Sequence, residues 1–148
     1  MRTLFCIFLF GLLLHQYDSK PTGDDMKLAE KTCLTELHLQ SSDLPDLGNF
    51  KKEDVDTPNN RKMFACLFTK MGILDEEQKI NSDGFDNFVQ VLVNATREGK
   101  NEASIRESLS QCKDIEGRSG GEIGIQLRNC FRRAGLEMRR KHITSDNS

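Results

Sequence analysis

The stretch from Arg61 to Asp75 constrains this chain more than any other. Met63, Phe64, Leu67, Phe68 and Met71 recur in it at helical spacing, with Cys66 on an adjoining strip of the same surface. Thr57-Pro58 supplies a cap and a first turn, and Gly72 supplies a stop. The segment predicts a buried helix that carries a cysteine, with the rest of the fold built around it.

Whether that cysteine acts as a tether depends on the compartment. Arg2, an apolar run from Leu4 to Leu14 and polar His15 to Lys20 make a segment too short to span a bilayer. It reads as a secretory leader, residues 1–19, with cleavage between Gln16 and Lys20. A secreted, extracellular protein is expected. Cys6 leaves with the leader, and Cys33, Cys66, Cys112 and Cys130 remain, an even number in an oxidising environment. Two disulfides follow, with three pairings open between which spacing does not choose; no Cys-x-x-Cys argues for zinc or a redox pair.

A length of 148 residues suits one domain, and 21 basic against 23 acidic residues leave no field that would draw nucleic acid. The pattern reads helix after helix. Met26, Ala29, Cys33 and Leu37 share a face over Asp24 to Gln40; a single turn fits around Leu44 to Leu47; the central helix follows. Ser82-Asp83-Gly84 caps a helix striped by Phe85, Phe88, Val89, Leu92 and Val93 and closed by Gly99. Glu102 to Gln111 is thinner, with Ala103, Ile105 and Leu109 to bury. After Gly120-Gly121, a sixth helix presents Ile123, Leu127, Cys130, Phe131 and Ala134 and stops at Gly135. No strand signal appears. The prediction is an all-α domain of about six short amphipathic helices over residues 20–135, with a basic and then polar tail over 136–148.

Little in the sequence suits catalysis. The mature chain keeps only His38 and His142, from which a nucleophile, base and orienter are hard to assemble, so no enzyme activity is expected. A calcium loop at Asp75 to Gly84 fails: with Gly84 at the turn, Lys79 falls on the first ligand position and Gln90 where a bidentate Glu belongs. No metal or cofactor is expected. Asn94-Ala-Thr96 is a glycosylation sequon. Arg132, Arg133, Arg139, Arg140 and Lys141 form a basic run that reads as a solvated helix end, or alternatively as a contact for an anionic surface or receptor.

Cys33, then Lys62-Met-Phe-Ala-Cys-Leu-Phe-Thr-Lys-Met-Gly-Ile-Leu-Asp75, then Asn81-Ser-Asp-Gly-Phe85, then Cys112 and Cys130 together resemble the insect odorant-binding protein family, pheromone and general odorant binders included. The likeness runs from Asp24 to Gly135. The family's usual form has six cysteines; its second and fifth fall here on Lys62 and Gly121, which is similar to the four-cysteine "minus-C" subgroup. The family's pairing, carried over, implies Cys33 with Cys66 and Cys112 with Cys130, and leaves no orphan thiol. The lost bridge would be worth about 4 kcal/mol on the chain-entropy model, which implies a softer interior. Lys62 either reaches solvent or pairs with Glu122.

The resemblance implies helices around an internal cavity for odorants, pheromones or fatty-acid-like molecules. It suggests a membrane receptor as a further partner and a monomer or weak homodimer as the working state. The lining expected is Phe68, Met71, Ile73, Leu74, Phe88, Leu92, Leu109, Ile123, Leu127 and Phe131, with Thr69 as a hydroxyl partner. The same residues equally suit an ordinary filled core, in which case the protein acts through its surface and basic tail.

Overall fold

A computed structural model describes residues 23–44, 53–95 and 102–145. The leader, the turn beyond Leu44, the Gly99 stop, Thr96 and the last three residues lie outside the described residues. Among the described residues, five α-helices and one short 3-10 turn follow one another: α1 (Gly23–Glu36), the turn (Ser41–Asp43), α2 (Pro58–Lys70), α3 (Ser82–Ala95), α4 (Glu102–Ser110) and α5 (Gly120–Ser145). Among the described residues the only strand-like pairing is an isolated antiparallel bridge between Leu74 and Ile80. The all-helical expectation holds.

The helix ends follow from local chemistry. At the start of α2 the Thr57 hydroxyl accepts from the Asn60 N–H at 3.2 Å and Pro58 fills the first turn, as the sequence predicts. Its far end closes in a paired turn. The Gly72 N–H donates to the Thr69 carbonyl and the Ile73 N–H to the Phe68 carbonyl, with Gly72 at φ 72°. The end of α1 repeats that motif without a glycine: the His38 N–H donates to Thr35 and the Leu39 N–H to Leu34, with His38 at φ 53°. This closure at Glu36 makes α1 shorter than the expected Gln40 boundary. The cap of α3 is Asn81, one residue earlier than the expected signal; its side-chain oxygen accepts from the Asp83 and Gly84 N–H groups. For α5, Ser119 accepts from the Glu122 N–H while the Glu122 carboxylate reaches back to the Arg118 N–H. That bond, with an Arg118 ion pair at 3.5 Å, occupies Glu122, and Lys62 is exposed instead.

The expected stop at Gly135 is absent. Helix α5 runs to Ser145, and Met138, one turn beyond the glycine, packs against the core and gives the chain a reason to continue. The predicted tail therefore begins inside a helix.

Two disulfides join the helices, Cys33–Cys66 between α1 and α2 and Cys112–Cys130 between the end of α4 and α5, with Cα–Cα distances of 5.9 and 5.8 Å. The pairing is the one the resemblance implied. The most extensive helix contact, α2 against α5, carries no bridge. A Cβ on Gly124 would lie 2.9 Å from the Phe64 Cβ and 3.0 Å from its carbonyl carbon, so the absence of a side chain there sets the helix separation.

Candidate ligand-binding core

The interior is built by the stripes of α2, α3 and α5 converging on one aromatic centre. Phe131 of α5 has its ring centroid 6.0 Å from Phe68, 5.8 Å from Phe85 and 5.2 Å from Phe88; Phe64 stacks 6.2 Å from Phe68. Ile73 and Leu74 enter from the loop after α2, Leu109 from α4, and Ile123 and Leu127 from α5, all buried in the same cluster as Phe68 and Phe88. Met71, Leu92 and Phe131 are half-buried and pack against it. The ten predicted residues are thus gathered into one apolar body or its margin.

Periodicity named Phe64 and Phe85 as helix stripe without assigning them to the lining, yet both are almost fully buried beside it. Ser108, buried at 6 % exposure on the inner stripe of α4, was missed altogether. The Thr69 Oγ1 accepts from the Gln78 amide at 3.0 Å, a bond that leaves its O–H proton as a donor.

A polar strap crosses α5 outside this body. The Asp54 N–H donates to the Asn129 side-chain oxygen at 2.9 Å, and the Asn129 amide donates back to the Asp54 carbonyl at 3.3 Å. The Asp54 carboxylate lies 3.4 Å from buried Arg128. Burial pushes the Asp54 carboxyl above its ordinary value, against the pull of Arg128 and Arg132. Glu53 accepts from Arg133 at 3.1 Å and pairs with Arg132 at 3.2 Å; the Arg133 hydrogen bond chiefly holds its carboxyl below the usual range. Arg132 and Arg133, read from sequence as part of a basic run facing solvent or a partner, are bound to this strap.

An open surface concavity near the start of α2 is lined by Asp56, Pro58, Arg61 and Lys62 and holds none of the predicted lining. Its Arg61 and Asp56 are paired at 2.5 Å. His38 is exposed, and the side chain of His142 lies outside the described residues. The Asp75 to Gly84 loop is closed by its own bonds: the Asp75 carboxylate accepts from the Lys79 N–H at 2.9 Å. Asn94 is exposed on the last turn of α3, where its side-chain oxygen accepts from Gln90. Among the described residues no helix is long and apolar enough to cross a membrane.

Neither the curated proteins nor the solved structures compared with the chain gave a match. The sequence profile of the PBP/GOBP family does, over residues 16–134, a span that takes in all four bridging cysteines and the Phe131 centre. With most of the chain covered, it belongs to the PBP/GOBP family, the insect pheromone- and odorant-binding proteins.

Proposed function

We propose that this protein is a secreted, soluble carrier that holds a small hydrophobic molecule, such as an odorant, pheromone or fatty-acid-like compound, among the side chains around Phe131. Proteins of this family bind small hydrophobic molecules and are carriers rather than enzymes. The observation that supports the reading here is that Phe68, Phe88 and Phe131, contributed by three helices, meet in one apolar body. Removing apolar ligand area from water returns about 25 cal/mol per Å² before ordering costs, so micromolar affinity, about −8 kcal/mol, needs few polar contacts. The same reading assigns residues 1–19 to a leader and leaves Asn94 as a sequon open to a glycan.

Displacement of a fluorescent apolar probe from the oxidised protein tests it. Saturable one-to-one binding, reversed by volatile odorants or long-chain lipids at micromolar concentration, is the expected result. A folded, correctly bridged protein that binds no probe would leave the filled-core alternative, in which the surface is the working part.

A further inference from the structure

Among the described residues, one buried side chain has a polar group and no hydrogen-bond or ion-pair partner. Ser108 sits on α4 between Ile105 and Leu109, one turn before Cys112, and these three neighbours all belong to the core cluster. Its hydroxyl oxygen is buried and makes no hydrogen bond. A serine in a helix usually has an easy solution, the backbone carbonyl three or four residues earlier. This chain uses it repeatedly: Thr32 donates to the Leu28 carbonyl at 2.7 Å, Thr35 to Lys31 at 3.0 Å and Ser110 to Glu107 at 2.7 Å. Ser108, on the buried face of α4, leaves its hydroxyl without such a bond, and an unmade hydrogen bond inside a protein is costly.

The other buried polar atoms without a full set of bonds have a different setting. Asp54 lies beside Arg128, Arg132 pairs with Glu53, and the Asn60 amide donates to the Val55 carbonyl, so all three side chains have a partner at or beside the strap. Ser108 has no such local partner. We propose that, if the interior carries ligand as argued above, the Ser108 hydroxyl is its polar contact and takes the neutral head of the ligand, a hydroxyl or carbonyl oxygen. A hydroxyl both donates and accepts, which suits an alcohol, aldehyde, ketone or ester. A carboxylate is disfavoured. It would need a buried cation, and the buried cations among the described residues, Arg128 and Arg132, are already set against Asp54 and Glu53.

Probe displacement by dodecanol, tridecane and dodecanoic acid, chains of similar length with a neutral polar, an apolar and a charged end, separates these outcomes in wild type and Ser108→Ala. In wild type, dodecanol competes best. In Ser108→Ala the displacement constant for dodecanol weakens about fivefold, the loss of one hydrogen bond, while tridecane and the probe itself are unchanged. Equal effects on dodecanol and tridecane, or no effect on either, would overturn the assignment and leave Ser108 a packing residue or a water site. Should the variant misfold, the wild-type ranking decides: dodecanoic acid or tridecane competing as well as dodecanol overturns the proposal while the carrier reading stands. A wild-type protein that binds no probe removes the carrier reading and this one with it.

Discussion

Helix α5 is held to its neighbours in two different ways. Toward α4 it is joined by Cys112–Cys130; toward α2, its most extensive contact, it has no covalent bond and relies on a glycine seam and the Glu53–Asp54 strap. A disulfide acts largely by restricting the unfolded chain. A seam of backbone against side chain acts only in the folded state, and its strength depends on distance to a few tenths of an ångström. The α2–α5 junction, closed by Gly124 against Phe64, is therefore the one most sensitive to a change in side-chain size.

The largest expected effect lies on the bridged side. Removing Cys33–Cys66, which spans 33 residues, costs about 4 kcal/mol, and removing Cys112–Cys130, which spans 18, costs about 3 kcal/mol. Denaturant unfolding of the paired Cys→Ala variants measures both. An equal loss, or a larger loss at the shorter loop, would contradict the chain-entropy account.

Two glycines of α5 sharpen the comparison from the other side. Gly124→Ala drives a methyl into the Phe64 backbone and costs about 2 kcal/mol, despite the better helix propensity of alanine. Gly135→Ala meets nothing within 4 Å and gains about 0.5–1 kcal/mol from propensity alone. Thermal melts of the two variants should move in opposite directions; movement in the same direction would remove the seam from the account.

The smallest effect concerns the strap and depends on pH. Glu53 is held below its ordinary value, so it adds stability above that value and loses it as pH falls through the lowered one. Asp54 is raised by burial, so its contribution is present below its ordinary value and is lost as pH rises through the raised one. Melts at about pH 3 and about pH 7 should show the wild-type margin over Glu53→Gln growing with pH and the margin over Asp54→Asn shrinking.

What was legible in the sequence follows the strength of each local signal. Gly72 announces the end of α2, because glycine tolerates the left-handed conformation found there; His38 ends α1 in the same geometry with no such announcement. Gly135 looked like a stop but lacks the closing hydrogen bonds of one, and Met138 anchors the helix beyond it. The apolar stripes placed Phe68, Phe88 and Phe131 correctly in the interior, since periodicity reports which face is buried. Pairing between distant segments left no periodic trace: Arg132 and Arg133 meet Glu53 some eighty residues earlier, and Ser108 is polar on an apolar stripe. Such contacts are visible only once the chain is folded.

The claim that the interior, rather than the surface, takes the ligand is tested most directly by methyl NMR. Dodecanol would be titrated into oxidised protein labelled at Met, Leu, Ile and Val methyls. The account predicts shifts and ligand contacts at Met71, Ile73, Leu92, Leu109 and Leu127, around Phe131. Shifts confined to exposed Leu28 and Val55, or no shifts at saturating ligand, would contradict it.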